Sequence, residues 1–303
     1  DLNLWYLLKN DFYDSFFGPD LIINTFYYFL YEKFLLKINN NSNSFYICEN
    51  QSIEKTLVHN WNKISKKNIY GVQNSTIRFW DLRYFEYQDK SLIDKKNCDV
   101  LYSKILLNGP LSESIINSNV FYKKYTGKIE AFRYENLFNN KLNFKFFTKN
   151  KNYKILIIGD ASEIININLL KYFTKYLSSE NNFKFFYKPH PLSNLHLKSD
   201  YSNFLIEKTA INSLIKRYDF FVASNTTSAS LDLYFLNTNL FIMLDNKIPN
   251  LSPLRNLDNV IFFNFNDNFK KLLFKSKFKD SNPISNSIYY SADYKYFNQY
   301  INE

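Results

Sequence analysis

Residues 183–244 carry the densest grouping of side chains able to do chemistry. An aromatic run at 183–187 ends in Lys188-Pro189-His190-Pro191, and a later apolar run at 220–223 leads into Ser224-Asn225-Thr226-Thr227-Ser228. Each run reads as a strand that hands over to a polar segment at its C-terminal end, which is where open α/β sheets bind ligands. His190 could donate a hydrogen bond to a phosphate oxygen. The apolar stretch 229–236 reads as a helix, so the Ser/Thr hydroxyls and the first free N–H groups would converge on an anion at its N-terminus. A plainer reading of the same residues is that Pro191 ends a strand and the Ser/Thr run caps a helix. Two such motifs on successive strand ends point together to a place for a nucleotide mono- or diphosphate.

Other routes to phosphate chemistry find less support. No Asp-x-Asp pair occurs, and the three histidines, His59, His190 and His196, lack a spaced set of ligand partners. The expectation is therefore no metal and no cofactor, the nucleotide being a substrate. With five glycines there is neither a Walker loop nor a glycine fingerprint, and no Gly-x-Ser-x-Gly elbow occurs. Phosphate would have to be held by side chains and helix N-termini. A transfer reaction at a sugar carbon needs a carboxylate near the reacting centre, as base or as nucleophile. Glu49 follows the strand 44–48 and precedes a helix, so it sits at a strand's carboxyl edge. Glu54, one turn into that helix, reads instead as a favourable charge near a helix N-terminus.

The elements that must position these groups alternate. In the first half, 21–37 has helical spacing, 44–48 is a strand, and 52–65 is a helix with Ile53, Leu57 and Trp61 at i, i+4 and i+8. A strand at 68–72, a loop at 73–84, a strand at 100–106, the turn Asn108-Gly109-Pro110 and a short helix at 112–118 follow. After an Asn/Lys-rich stretch at 139–152 come strands at 154–158, 183–187, 220–223, 240–244 and 260–263, with helices at 166–177, 210–218 and 228–236. Alternation of this kind predicts an α/β fold of parallel sheets covered on both faces. Two such halves imply two Rossmann-like domains facing a cleft: 1–145 for acceptor and catalysis, 146–303 for the nucleotide, with the last residues free to pack back on the first domain. The chain starts at Asp1 without an initiator Met, so an upstream piece, including a strand, is expected to be missing.

Composition bounds the rest. The 303 residues include 31 Phe and 25 Tyr but 5 Gly and 7 Pro, a bias toward residues with AT-rich codons. A net charge of +10 can attract nucleic acid, anionic lipid or an anionic sugar nucleotide. The lysines are scattered and no nucleic-acid module is present, so nucleic acid is not an expected partner. Cys48 and Cys98 have no ligand spacing, which fits free thiols in a reducing cytoplasm. No apolar run is long enough to span a bilayer and no signal peptide is visible. The basic segment 268–279 sets Lys270, Lys271, Lys275 and Lys277 beside Phe269, Leu272, Leu273 and Phe278. It could rest on an anionic membrane, though an ordinary helix with one core face is the simpler reading.

In order and spacing, several short motifs resemble a family. They are Glu49-Asn50-Gln51 with Glu54; Tyr70-Gly71-Val72-Gln73, then Ile77-Arg78-Phe79-Trp80 and Leu82-Arg83-Tyr84; Asn108-Gly109; Ala131-Phe132-Arg133-Tyr134; Lys188-Pro189-His190-Pro191; and Asn250-Leu251-Ser252-Pro253-Leu254-Arg255. Over nearly its whole length the chain resembles the GT-B glycosyltransferases of bacterial surface carbohydrate synthesis that use CMP-activated ulosonic acids, the capsule-type pseudaminyltransferase and Kdo-transferase relatives. The resemblance implies that Lys188, His190, Pro191, Ser224, Asn225, Thr226, Thr227 and Ser228 hold CMP phosphate and ribose, with Ser252 beside the same pocket. It implies catalytic and acceptor residues in the first domain, where Gln73, Asn74 and Arg78 join Glu49 as candidates. Asn74 stands where relatives carry His or Asp. An amide cannot serve as base or nucleophile, which moves the expectation to Glu49.

The expected activity is metal-independent transfer of a 3-deoxy-ulosonic acid, a pseudaminic acid-like nonulosonate or Kdo, from CMP to a glycan or lipid-linked glycan acceptor. The expected place is the cytoplasm, or peripherally the inner face of its membrane. Arg78, Arg83 and Arg133 could pair with the donor carboxylate, or simply make structural salt bridges. Two alternatives stay open: a CDP-glycerol-type polyol-phosphate transferase, and a catalytically silent glycan-binding domain of a longer protein. Retention or inversion is also open.

Overall fold

The computed structural model of the chain describes residues 3–38, 41–78, 81–84, 102–116, 125–138, 152–177, 182–193, 203–275, 288–291 and 293–302. Cys98, His196, Phe79, Trp80, Lys277 and Phe278 fall outside them. The described residues form two compact units. Asp1–Ser75, Leu82–Ala131 and Ala292–Glu303 contribute to the first, Thr76–Asp81 and Phe132–Ser291 to the second.

The first unit is built on a parallel sheet of order β1-β2-β3-β4, with β1 Ser44–Cys48, β2 Ile69–Gln73, β3 Lys104–Leu107 and β4 Thr126–Lys128. Helices α1 (Trp5–Phe17) and α2 (Pro19–Leu35) precede it, α3 (Ser52–Ile64) joins β1 to β2, and α4 (Pro110–Ile116) follows β3. Pro19 at the first position of α2 suits a place whose N–H has no helical partner. Val58 and Trp61 of α3 bury against Leu35 and Ile69. α1 and β4 are elements that the sequence pattern did not announce. The strand expected at 100–106 is shorter, 104–107, and its neighbour at β4 is a mere three residues long.

The second unit has the order β10-β9-β8-β5-β6-β7, all parallel, with β5 Tyr153–Ile158, β6 Phe183–Lys188, β7 Leu205–Ile206, β8 Phe220–Ser224, β9 Leu240–Met243 and β10 Val260–Phe263. Counted from β5, this is the 3-2-1-4-5-6 order of a doubly wound sheet, and its switch point lies between β5 and β8. The helices are α5 (Glu135–Phe138), α6 (Glu163–Leu177), α7 (Ile211–Leu214), α8 (Ala229–Phe235) and α9 (Phe269–Lys275). Every residue of β8 and β9 is buried, the expected state of strands covered on both faces. Phe173 of α6 meets Phe185 at 5.4 Å and Phe269 at 5.0 Å. α9 turns Phe269 and Leu273 into this core, so the described part of the basic segment is a core-facing helix. The helix expected at 210–218 is four residues long, because Arg217 and Tyr218 leave it to meet Glu207.

A last helix, α10 (Lys295–Asn302), belongs to the first unit. Buried Glu130 accepts the N–H groups of Tyr296 and Phe297 at 2.5 and 3.0 Å, satisfying two free donors at its start. Tyr300 then packs on Tyr70 at 4.9 Å and Phe297 on Phe45 at 5.2 Å. Gly127 makes room: a Cβ there would collide with the Tyr300 hydroxyl. Glu130→Ala should therefore lower the unfolding free energy by about 1–2 kcal/mol, read as an earlier urea midpoint. An unchanged midpoint would mean that the ring contacts alone hold the helix.

Candidate functional site

Strand register brings the first-unit candidates together. Cys48 and Gln73 are paired ends of β1 and β2, so the next residues, Glu49 and Asn74, emerge side by side. Asn74 Nδ2 donates to Glu49 Oε1 at 2.6 Å. The chain then turns through Asn50 at φ 59°, a left-handed conformation that Asn tolerates, and Gln51 and Glu54 form the capping box of α3. Both Glu54 carboxylate oxygens accept the Glu49 N–H, at 3.1 and 3.0 Å. Glu54 thus has the helix-terminal part that the sequence suggested. Gln73 is buried, with Nε2 donating to Ser75 O and Ser112 Oγ and Oε1 accepting the Asn108 N–H. Its amide is fully engaged in fixing the ends of β2 and β3 and the start of α4. Glu49 keeps one oxygen, Oε2, without a hydrogen-bond partner among the described residues. Arg83 donates to Ser75 Oγ at 3.2 Å. Arg78 is grouped with the second unit, and Glu49, Gln73 and Asn74 with the first.

In the second unit, the ends of β5, β6 and β8 meet at Asp160. Oδ2 of this buried carboxylate accepts Ser224 Oγ–H at 2.5 Å and Thr226 Oγ1–H at 2.6 Å, while Oδ1 accepts the Ser162 N–H at 3.1 Å. Fully buried Asn166 takes the Asp160 N–H on Oδ1 and returns Nδ2 to Asp160 O and Ser193 Oγ. Gly159 lets the β6 end approach: a Cβ would stand 2.7 Å from Tyr187 Oη and 3.0 Å from His190 N. Burial, with the Asp160 charge adding, holds the Tyr187 phenol well above its usual range.

This arrangement alters the expected part of the Ser/Thr run. Ser224 and Thr226 do not offer their hydrogens to an anion, because Asp160 already takes both. The Thr227 N–H is spent on Ser224 Oγ at 3.2 Å, and that of Thr226 reaches the same oxygen at 3.4 Å. Ser228 precedes α8 without a side-chain cap bond. His190 Nδ1 accepts the Leu192 N–H at 3.1 Å, which leaves Nε2 as the nitrogen able to donate. Lys188 ends β6 half-buried, its carbonyl accepting the Gly159 N–H, and Pro191 is exposed. Asn225 Nδ2 holds Pro249 O at 3.1 Å. Ser252 is buried in a turn, its Oγ accepting the Leu254 N–H.

A cavity of 220 Å³ opens at the carboxyl edge of this sheet. Of the expected residues, Ser224 and Asn225 line it, joined by Asn168, Met243, Lys247 and Phe265 among others. Lys188, His190, Pro191, Thr226, Thr227, Ser228 and Ser252 are not in its wall. Sequence reasoning missed Asp245-Asn246-Lys247, although the same handover from apolar strand to polar segment marks them. The cavity combines apolar side chains with amide, hydroxyl, carboxylate and ammonium groups, a lining suited to part of a nucleoside. Among the described residues no three His, Cys, Asp or Glu side chains come together as a metal site.

A second cluster was not foreseen. Tyr134 stacks on Tyr289 at 4.1 Å, Phe235 packs on Tyr289 at 5.4 Å, and Asp232 lies in the first turn of α8 near Tyr289 and Arg133. Burial pushes the Asp232 carboxyl up to about 7, against the pull of Arg133.

No family model matches the chain, and no curated protein matches it. Among solved structures it is similar to the S. aureus MnaA–UDP co-structure, at 12% identity and a TM-score of 0.56, covering 93% of this chain and 82% of that one. It is also similar to a Listeria monocytogenes protein assigned as a UDP-N-acetylglucosamine 2-epimerase, at 9% identity and a TM-score of 0.52, covering 88% and 76% of the two chains. Identities this low speak for the fold alone. The fold is α/β of the GT-B class, with two Rossmann-like domains and parallel sheets.

The raised Asp232 carboxyl gives a signed prediction. Between pH 4 and 7 the unfolded chain ionises at this residue while the folded one does not, so its contribution to stability falls over that window and is level above it. Asp232→Asn should match the parent near pH 4 and exceed it at pH 8, by up to about 4 kcal/mol. Thermal unfolding across pH checks this; a pH-independent difference would reject burial of the charge as the cause.

Proposed function

We propose that the chain is a glycosyltransferase that holds the nucleotide of its donor in the second unit, around Ser224 and Asn225. The observation that carries this reading is a mixed polar and apolar cavity at the carboxyl edge of a doubly wound sheet, whose strand order reverses between β5 and β8. The donor we assign is a CMP-activated ulosonic acid, a reading supported by the motif resemblance that runs from Glu49 to Arg255. The acceptor is a glycan or lipid-linked glycan. In this reading the acceptor hydroxyl attacks the anomeric carbon, the bond from that carbon to the phosphate oxygen breaks, and CMP leaves with the electron pair. Glu49, oriented by Asn74, takes the acceptor proton on its open oxygen if the reaction inverts; if it retains, Glu49 first displaces CMP to form a glycosyl ester, and the acceptor hydroxyl then displaces the Glu49 carboxylate, which takes up the acceptor proton as it leaves. His190 Nε2 and Lys188 meet the leaving phosphate, which makes a metal unnecessary. We place the reaction in the cytoplasm, a reading supported by cysteines without metal-ligand or disulfide spacing.

A second reading draws on the fold likeness. The MnaA structure holds UDP and the Listeria protein is assigned as acting on UDP-N-acetylglucosamine, so an enzyme that rearranges a UDP-sugar is the competing class. Thermal shift with CMP, CDP and UDP separates them. CMP at one hundred times its dissociation constant should add about 2.7 kcal/mol, with UDP weaker. A UDP preference, or equal negligible shifts, would overturn the donor assignment.

Two further outcomes belong to this mechanism. Glu49→Gln should lower turnover by roughly a hundredfold or more while CMP affinity barely moves; near-normal turnover would remove Glu49 from the chemistry. Chelation should leave turnover unchanged, and full loss with EDTA restored by a divalent ion would sink the metal-free mechanism. A phosphodiester product would identify a polyol-phosphate transferase instead.

A further inference from the structure

The first two helices bury almost nothing. No residue of α1 is buried, and of α2 only Leu35 is. Large apolar side chains stand in solvent along both: Trp5 is 44% exposed, Leu7 77%, Phe17 77%, Ile22 71%, Phe26 64% and Phe34 54%. The contacts that α2 makes with α3 include a polar stripe. Asn24, Tyr28 and Glu32, spaced at i, i+4 and i+8, meet Ser52, Asn60 and Lys63 through hydrogen bonds and one ion pair. Ile22, Phe26 and Phe34 are left outward, so polar groups serve the inward seam while apolar ones face water. An exposed apolar patch of this extent marks an interaction surface.

Charge says what covers it. Exposed Lys33 and Lys37 close the C-terminal end of α2, and exposed Lys66 and Lys67 follow the C-terminal end of α3, which runs beside it in the same direction. Of the acidic residues, Asp11, Asp14 and Asp20 lie within seven residues of the Gly18 junction and Glu32 is paired with Lys63, while Lys9 is the one cation of α1. The whole chain carries +10. Charge of that size repels a second copy and favours an anionic partner. Trp, Tyr and Phe suit the boundary between lipid headgroups and acyl chains, and nearby lysines strengthen attachment to anionic lipid. No helix among the described residues is long and apolar enough to cross a membrane, so the pair would lie on the surface.

We propose that α1 and α2 dock the protein on an anionic lipid bilayer, with the outward apolar side chains entering the interface and the lysines at the ends of α2 and α3 meeting lipid phosphates. The contact thus belongs to these helices and not to the basic segment at 268–279, whose Phe269 and Leu273 are spent on the core. It stands independently of the donor assigned above.

Vesicle co-sedimentation of the whole chain tests it, using phosphatidylcholine alone and phosphatidylcholine with phosphatidylglycerol. Binding to the anionic vesicles should be roughly tenfold tighter and should weaken with salt. The double variant Ile22→Glu/Phe26→Glu should lose at least tenfold of that binding with an unchanged circular dichroism spectrum, since both positions are exposed. Lys33→Glu/Lys37→Glu should lose the preference for anionic lipid, and it serves as the readout if the first variant folds poorly. Parent protein that stays in the supernatant, or binding that neither variant changes, would overturn the proposal. So would a dimer seen by light scattering, broken by Ile22→Glu/Phe26→Glu, in protein that ignores vesicles.

Discussion

The carboxylate of Asp160 is the point on which the second unit's carboxyl edge depends. A buried carboxylate without hydrogen-bond donors would neutralise or destabilise the fold. Here two hydroxyls and a backbone N–H satisfy it, drawn from the β8 loop and from the turn after β5. Asn166 ties the same turn to Ser193 beyond β6. Three strand ends that would otherwise carry independent loops are thereby fixed to one another. Charge-assisted hydrogen bonds of this kind contribute roughly 1.5–3 kcal/mol each, enough that the polar edge keeps one arrangement.

The two units place their polar groups by the same geometric rule and leave them in different states. Parallel register sets Glu49 beside Asn74 in the first unit and Asp160 beside the Ser224 loop in the second. Asp160 has both oxygens engaged and works as an anchor. Glu49 accepts a single amide hydrogen from Asn74 and retains an open oxygen. An engaged carboxylate holds structure, whereas one with an open oxygen can accept a proton or a bond. Asn74, unfit as a base, is well suited to aim the neighbouring one.

Much of this architecture was legible in the chain because buried parallel strands leave short apolar runs. Strands at 154–158, 183–187, 220–223, 240–244 and 260–263 could be read directly, and so could the alternation that makes the fold doubly wound. The misses have physical reasons. α1 carries Trp5, Leu8, Phe12 and Phe16 at helical spacing, but Tyr6, Leu7, Tyr13 and Phe17 blur that face. Three-residue β4 and two-residue β7 gain their strand character from neighbours, not from their own sequence. The site was harder. Ser224 and Thr226 were correctly placed at a strand end, but hydroxyl direction depends on a partner 64 and 66 positions away. Asp160, which follows the strand at 154–158 and Gly159, gives no sign in the sequence of being that partner. Asp232 likewise becomes unusual only when Tyr289 and Arg133 arrive beside it.

The Asp160 contacts also constrain what a ligand can ask of this edge. With their hydrogens given to a carboxylate, Ser224 and Thr226 cannot donate to a ligand; Ser224 Oγ already accepts the Thr227 N–H, so the lone pairs left open are those of Thr226. Phosphate oxygens are acceptors too, and Asp160 adds negative charge immediately behind. The ribose hydroxyls and the amino group of a base are donors and match such a surface. On the proposed reading, a nucleotide held here would turn its nucleoside portion to the loop at 224–226 and its phosphate to groups that can donate, the ammonium of Lys247 in the cavity wall or, beyond that wall, His190 Nε2 and Lys188. Under that proposal the two motifs would take different halves of one ligand, although both occur at strand ends and both contain residues that, taken by type alone, would have been assigned to phosphate.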